Sequence, residues 1–148
     1  MPTYTQLLYQ IVFSTKNRER VLIKENREKL FRYIWGCLKN NNCILYRINA
    51  VEDHVHIATH IHQTKALASV VADLKRSSSL WIKQQDLFPG FSDWQIGYGG
   101  FTYSNKDKQN LVNYINNQEI HHKKTSFREE YIQLLQEQGI EFDEKYLL

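Results

Sequence analysis

The order of the hydrophobic patterns along the chain predicts an α+β protein: one antiparallel sheet with helices on one face, followed by C-terminal helices. Short stretches rich in β-branched and aromatic residues predict strands, and longer stretches with apolar residues at helical spacing predict helices. Their order is β-α-β-β-α-β, the split βαβ or ferredoxin-like arrangement. A length of 148 residues, with 42% hydrophobic and 24% charged residues, is typical of a single folded domain spanning residues 1–148.

The first half of the chain supplies three strands and two helices. "YTQLLYQIVFST" predicts the first strand, and residues 24–40 place Leu30, Ile34 and Leu38 at helical spacing before the "NNN" run ends that helix. "CILYRINAV" and "EDHVHIATHIH" predict two strands joined by a tight hairpin. Thr64 is the predicted N-terminal cap of a second helix that runs to Gln85 or close to it.

The second half supplies the last strand and the C-terminal helices. "DLFPGFSD" predicts a loop, and "WQIGYGGFTYS" predicts a strand whose glycines indicate a bulge or the close approach of another segment. "NKDKQNLVNYINNQEIHHKK" predicts one continuous helix. "SFREEYIQLLQEQG" predicts a shorter helix that begins at Ser126 and stops at Gly139.

Composition and charge limit the classes of function. The net charge of +3 and the pI of about 8.8 fit a polyanionic partner without requiring one. Cys37 and Cys43 form no CxxC motif, which favours reduced thiols. The sequence contains neither a signal-peptide pattern nor an apolar stretch near the ~18 residues of a membrane helix. We therefore expect a cytoplasmic protein with no membrane partner.

The third strand carries histidines at alternate positions, namely His54, His56, His60 and His62. Side chains at i and i+2 of a strand project from the same face, so His54 and His56 lie side by side, with Val55 facing the other way. Two imidazoles at this spacing can both direct a nitrogen at one metal ion. The alternative is an open, solvated sheet face on which histidine is merely tolerated.

The predicted helix over residues 105–124 has an unusual polar stripe. At 100° per residue its members share one side of the helix, while Leu111 and Ile115 lie on the side that docks on the domain. The stripe consists of Tyr114, Gln118, His121 and His122. The alternative is again simple: a packing tyrosine, a solvated glutamine and two surface histidines.

Together the two motifs resemble a known family. "HVH" after "AVED" resembles the HUH motif (histidine, bulky apolar residue, histidine), and YxxxQxxHH resembles the nucleophile helix of the single-tyrosine HUH transposases of the smallest bacterial insertion sequences. "IVFSTK", "LKRSSSLW", "GYGGF" and "SFREEYIQLLQEQGIEFDEKYLL" extend the resemblance over nearly the whole chain. One departure is Gln10, where close relatives have histidine. Gln10 is neither a metal ligand nor the nucleophile of the family, so the chemistry is not in doubt.

The resemblance implies a mechanism and partners. His54, His56 and the amide oxygen of Gln118 would hold one Mg²⁺ or Mn²⁺ ion, which would coordinate a phosphodiester of single-stranded DNA. Tyr114 would attack the phosphorus, leaving a 5′-phosphotyrosine and a 3′-hydroxyl that later rejoins DNA. The family also implies a homodimer and hairpin-containing element ends as substrates, so the bound protein would be associated with the bacterial nucleoid.

DNA binding requires further side chains, and basic residues near the first strand and on the second helix are the candidates. Such groups would contact phosphates and make binding weaker as salt rises. The candidates are Lys16, Arg18, Arg20, Lys75, Arg76 and Lys83, together with His121 and His122. Each of them can equally be a solvated surface charge.

Two other functions fit parts of the pattern. A non-catalytic module, such as a domesticated transposase, would hold single-stranded nucleic acid on an open sheet, with aromatics stacking on bases. It has no need of the histidine pair, Tyr114 and Gln118 together. A zinc hydrolase would use the four-histidine strand, but the only carboxylate nearby in sequence is Asp53, whose side chain we expect on the opposite face.

Overall fold

The computed structural model describes residues 2–147 and confirms the predicted fold class. The strands are β1 (Leu8–Ser14), β2 (Ile44–Ala50), β3 (His54–His60) and β4 (Gly99–Tyr103). The helices are α1 (Lys24–Asn40), α2 (Leu67–Gln85), α3 (Lys108–Asn116), α4 (Gln118–His121) and α5 (Phe127–Glu137). The strand order across the sheet is β2-β3-β1-β4, and every neighbouring pair is antiparallel.

One face of the sheet carries the main hydrophobic core. Because side chains alternate along a strand, Ile11 and Phe13 of β1 and Val55 and Ile57 of β3 all project to this face. Helices α1 and α2 cover it with apolar residues at helical spacing, which are Leu30, Ile34, Leu38, Val70, Val71, Leu74 and Ile82. These side chains are almost fully buried. The first two helices thus cover only this face, and His54 and His56 project from the other one.

The opposite face is covered by the C-terminal helices. Leu111 and Ile115 of α3 pack on Leu8 and Ala58 of the two central strands. Helix α5 packs Phe127, Tyr131, Leu134 and Leu135 against Val12 and Phe101. This face is therefore not open to solvent, and the reading of its histidines as solvated side chains is wrong.

Helix α5 begins and ends as its sequence predicts. Ser126 caps the helix by accepting a hydrogen bond from the backbone N–H of Glu129, and the Glu129 side chain accepts from the backbone N–H of Ser126. This reciprocal capping box satisfies two N–H groups that the helix leaves unpaired. Gly139 adopts a φ of +67° just after the helix, a conformation that favours glycine. The caps fix where α5 begins and ends, and its apolar residues pack it on the sheet.

Helix α2 and strand β4 begin later in the chain than the sequence predicts. Helix α2 begins at Leu67 and not after Thr64, whose hydroxyl lies 2.7 Å from Nδ1 of His62 and so does not cap the helix. Strand β4 begins at Gly99 and not at Trp94, because Gly97 turns the chain with a φ of +95°. The segment just before β4 is held by Lys75, whose Nζ donates to the carbonyl oxygens of Gln95 and Gly97.

The predicted helix over residues 105–124 is interrupted at Asn117, which separates α3 from α4. The cause lies in the neighbouring strand. Nδ2 of Asn49 in β2 donates to the carbonyl oxygens of Ile115 at 2.9 Å and Asn116 at 3.3 Å, so these carbonyls bond outside the helix. A tertiary hydrogen bond thus overrides the helical pattern of the sequence.

Within residues 2–147, none of the helices has both the length and the apolar composition that crossing a bilayer requires.

Candidate active site

Three imidazoles and one carboxylate meet beneath the C-terminal helices. His54 and His56 project from the same face of β3, as the strand period predicts, and neither side chain is exposed at all. His122 joins them from the end of α4, and Glu130 from α5. Oε1 of Glu130 lies 3.2 Å from Nε2 of His54, 3.0 Å from Nε2 of His56 and 2.9 Å from Nε2 of His122.

The second ring nitrogen of each histidine faces a hydrogen-bond acceptor. Nδ1 of His54 lies 2.7 Å from Oδ1 of Asp53, Nδ1 of His56 lies 2.7 Å from Oε1 of Gln10, and Nδ1 of His122 lies 2.7 Å from the carbonyl oxygen of Thr125. A proton on each Nδ1 satisfies these acceptors, and in a neutral ring it leaves the lone pair on Nε2. In a protonated ring Nε2 also carries a proton and donates to Oε1 of Glu130.

This arrangement fits a cation-binding site. Oε1 of Glu130 lies within 3.2 Å of all three Nε2 atoms, and three unprotonated Nε2 atoms would repel this carboxylate oxygen unless a cation lay among them. The four candidate ligand atoms of His54, His56, His122 and Glu130 all lie within 4.8 Å of one another. Imidazole ligands held through Nδ1 by an oxygen acceptor are the usual arrangement at metal centres. The site thus has the donor set and the hydrogen bonds of a divalent metal site.

Asp53 lies beside the histidines, so the expectation that it faces the opposite side of the sheet is wrong. It precedes the first residue of β3 and is not bound by the alternation of the strand. Its hydrogen bond with His54 outweighs the effect of burial and lowers the pKa of the Asp53 carboxyl. Asp53 therefore supports His54 as a hydrogen-bond acceptor behind the ring.

Glu130 links the candidate metal site to the predicted nucleophile. The hydroxyl of Tyr114 donates to Oε2 of Glu130 in a short hydrogen bond, while Oε1 faces the histidines. Burial alone would raise the pKa of Glu130, but the hydrogen bonds with His122, His54 and His56 hold it far below its usual range. The carboxylate is only 1% exposed and stays ionised.

Tyr114 lies close to the histidines of its own chain. Its ring centroid is 5.7 Å from that of His56, with the rings nearly perpendicular. Burial, followed by the charge of Glu130, raises the pKa of the Tyr114 phenol above its usual range. The phenol therefore rests in its neutral form, with its proton directed at a carboxylate oxygen.

Gln118 lies at the edge of the same cluster and is fully buried. Its Nε2 donates to Oε2 of Glu130 at 3.1 Å, while its Oε1 has no hydrogen-bond partner among the described residues. A buried amide oxygen without a donor costs free energy. An unpartnered oxygen at this position fits the predicted role of Gln118 as a metal ligand.

The sequence did not predict Glu130, and it assigned His122 only as a DNA contact. One signal for Glu130 was present. In α5 it shares the buried side with Phe127, Tyr131 and Leu134, so a carboxylate lies on the apolar stripe of an amphipathic helix. A charge in that position is rarely buried without a partner.

Two of the four strand histidines lie outside the cluster. Nδ1 of His60 accepts a hydrogen bond from the backbone N–H of Leu7, and His62 lies beyond the end of β3 beside Thr64. His121 is closer, with Nε2 at 3.5 Å from Oε2 of Glu130. Of the strand histidines, the candidate metal site thus contains only the first pair.

The predicted DNA contacts lie mostly on the surface. The exposed members are Lys16, Arg18, Arg20, Arg76 and Lys83. Lys75 is half-buried, and its ammonium group holds the chain at Gln95 and Gly97. Arg20 lies 3.9 Å from Glu52, an exposed pair that contributes little to stability.

Fold and site together define a ferredoxin-like domain with a candidate metal centre on its central strands and a tyrosine beside it. The model of the IS200-like transposase family matches residues 3–118, and the chain belongs to this family. No curated protein sequence gives a significant match to the chain.

Solved structures of transposases share the fold. A candidate transposase from Deinococcus radiodurans R1 has a TM-score of 0.59 and 23% sequence identity, and the match covers 80% of this chain and 95% of that one. A REP-associated tyrosine transposase bound to a REP hairpin has a TM-score of 0.60 and 15% identity, and the match covers 82% of this chain and 74% of that one. At these identities the likeness is one of fold.

Proposed function

We propose that the protein cleaves and rejoins single-stranded DNA through a 5′-phosphotyrosine at Tyr114, with a divalent metal ion in the histidine cluster. The observation that carries this proposal is the bridging position of Glu130. One of its oxygens faces His54, His56 and His122, and the other accepts a hydrogen bond from the hydroxyl of Tyr114. A protein that only binds nucleic acid has no use for this buried constellation.

The cluster offers nitrogen and oxygen ligands. His54, His56 and His122 would contribute Nε2, and Glu130 and Gln118 would contribute oxygens. Such a mixed set suits Mn²⁺, and also Mg²⁺ when substrate and water oxygens complete the coordination. A bound divalent ion would polarise the scissile phosphate and offset the negative charge that builds up on its oxygens.

Tyr114 provides the nucleophile. Its phenol oxygen forms a bond to phosphorus while the bond from phosphorus to the 3′-oxygen breaks, and Oε2 of Glu130 takes the phenol proton. Glu130 then passes this proton to the departing 3′-oxygen, which becomes a hydroxyl, and the carboxylate is ionised again. In rejoining, a 3′-hydroxyl attacks the phosphotyrosine, and the phenol, a better leaving group than an alkoxide, departs. The phosphoester is conserved at each step, so no nucleotide triphosphate is required.

The substrate we propose is a hairpin-containing end of single-stranded DNA, met in the bacterial cytoplasm and nucleoid. The support is a transposase of similar fold that was solved bound to a REP hairpin, together with the exposed basic residues Lys16, Arg18, Arg76 and Lys83. Phosphate contacts from these groups would make binding fall with salt. Assembly as a homodimer, which the family resemblance implies, is part of the same proposal.

We expect His56→Ala to lose both Mn²⁺ binding and formation of a covalent protein–DNA adduct, because the variant lacks one of three imidazoles. The measurement incubates a labelled single-stranded oligonucleotide carrying the element end with the protein and Mn²⁺, followed by denaturing electrophoresis. His62→Ala is the matched control, since His62 lies outside the cluster. Wild-type levels of adduct in His56→Ala would remove the strand histidines from the mechanism.

Mn²⁺ affinity should rise with pH. Although burial opposes it, the hydrogen bonds from His54 to Asp53 and Glu130 raise the pKa of His54 above 6.5, so a metal ion must displace a proton there. Burial lowers the pKa of His56 to about 4, and this ring does not compete for a proton near neutrality. Affinity should therefore increase as pH rises through the His54 pKa and level off above it.

Calorimetric titration with Mn²⁺ between about pH 6 and 9, in buffers of different ionisation enthalpy, tests this dependence and counts the protons released. Asp53→Asn is the informative variant, because a neutral acceptor holds the proton on His54 less strongly. The pH at which affinity levels off should then move down. An affinity that stays constant over the whole range would contradict the assignment of His54 as a ligand.

A further inference from the structure

Gln10 is a fully buried polar side chain on the histidine-bearing face of the sheet. It lies on β1, where Gln10 pairs with Ala58 and Val12 pairs with His56, so Gln10 and His56 are diagonal neighbours on adjacent strands. An apolar residue at this position would complete the core with Leu8 and Val12. Burial of a carboxamide here costs desolvation free energy, which hydrogen bonds to neighbouring side chains must offset.

Both ends of the Gln10 carboxamide have partners. Oε1 accepts a hydrogen bond from Nδ1 of His56 at 2.7 Å, and Nε2 donates to the hydroxyl oxygen of Tyr103 at 2.7 Å. Tyr103 is the last residue of β4, on the far side of β1 from His56. The three side chains thus form a hydrogen-bonded row across three strands, ending at the metal site.

We propose that Gln10 is a positioning residue for the metal centre: it fixes the ring orientation and tautomer of His56, and Tyr103 in turn fixes the orientation of the Gln10 amide. The inference rests on the metal site in the proposed function. With Nδ1 donating to Gln10, the lone pair of Nε2 is directed at the cluster. Without that acceptor, neutral His56 can carry its proton on Nε2 and so lose its capacity to bind a metal.

Of the three imidazoles, only that of His56 has an Nδ1 acceptor that is distant in the sequence. The acceptor behind His54 is the adjacent Asp53, and the acceptor behind His122 is the nearby carbonyl of Thr125. Gln10 comes from another strand, 46 residues away along the chain. It is also uncharged, so it orients the ring without adding a third carboxylate beside Glu130 and Asp53.

Two substitutions separate positioning from packing. Gln10→Leu removes the acceptor and keeps an apolar side chain of similar size, and Gln10→Glu keeps an acceptor for His56 and another oxygen for the Tyr103 hydroxyl. If Gln10 positions His56, Mn²⁺ affinity should fall by about 10–100-fold in Gln10→Leu and stay equal or become tighter in Gln10→Glu. If Gln10 only fills the core, leucine should be tolerated and glutamate should be the damaging change.

Mn²⁺ binding is measured on the full chain without DNA, by calorimetry or by electron paramagnetic resonance. Tyr103→Phe provides a second variant that leaves Gln10 in place, and it should weaken binding by a few-fold. Nitrogen-15 NMR should place the proton of His56 on Nδ1 in the wild type and shift it toward Nε2 in Gln10→Leu. These readouts would not follow from packing alone.

The inference is overturned by equal Mn²⁺ affinity in wild type and Gln10→Leu, by an Nε2-protonated His56 in the wild type, or by a larger loss in Gln10→Glu than in Gln10→Leu. Absence of Mn²⁺ binding by the wild type would overturn it together with the proposed metal site. Normal Mn²⁺ binding with the expected Gln10 effects, but no DNA adduct, would sustain the inference and contradict the proposed strand cleavage.

Discussion

Tyr114→Phe should form no covalent adduct with single-stranded DNA, while its affinity for the same DNA stays within a few-fold of the wild type. The substitution removes one oxygen atom, and in the proposed reaction that atom forms the bond to phosphorus. Loss of a nucleophile that acts together with its partners costs on the order of 10⁴-fold or more in rate. The basic surface that would bind phosphates is unchanged, because Lys16, Arg76 and Lys83 lie outside the cluster.

The assay compares adduct formation on a labelled element-end oligonucleotide in Mn²⁺ or Mg²⁺, with binding followed separately by fluorescence anisotropy. Tyr33→Phe is the matched control. Tyr33 of α1 stacks on Trp81 of α2, and both helices cover the sheet face opposite to the histidines. An adduct that persists in Tyr114→Phe would transfer the nucleophile to another residue. Metal-dependent DNA hydrolysis without any adduct, equal in both proteins, would instead favour the hydrolase alternative.

Glu130→Gln should weaken Mn²⁺ binding by about 100-fold or more and reduce adduct formation to a similar or greater degree. The substitution keeps the size and most of the shape of the side chain but removes its negative charge. The carboxylate lies 2.9–3.2 Å from three imidazole nitrogens and also accepts a hydrogen bond from the Tyr114 hydroxyl. One substitution therefore affects both metal binding and proton transfer from Tyr114. A neutral amide is also unable to take the phenol proton.

Glu137→Gln is the control for this variant, because Glu137 ends the same helix on its exposed side. Separate measurement of metal affinity and adduct formation distinguishes the two roles of Glu130. Normal Mn²⁺ affinity with lost adduct would assign Glu130 to proton transfer alone, whereas lost Mn²⁺ affinity with rapid adduct formation at saturating metal would assign it to metal binding alone. Wild-type values for both quantities would remove Glu130 from the proposed function.

Local periodicity explains why most of the fold was predictable. The strand period places Ile11, Phe13, Val55 and Ile57 on one face, and helical spacing places Leu30, Ile34 and Leu38 against them. Two of the wrong boundaries lie where the side chain of a residue distant in the sequence bonds to the backbone. Asn49 ends α3 through its bonds to backbone carbonyls, and Lys75 bonds to the carbonyls of Gln95 and Gly97 just before β4.

The candidate site divides in the same way. The sequence by itself placed His54 and His56 side by side, because residues two apart on a strand must share a face, and the family resemblance singled out Tyr114 and Gln118. Only the tertiary structure brought Glu130 to His56 across 74 residues and Gln10 to the same ring across 46. The physical reason is range: periodicity describes neighbours along one element, whereas a buried charge finds its partners through the packing of one element on another.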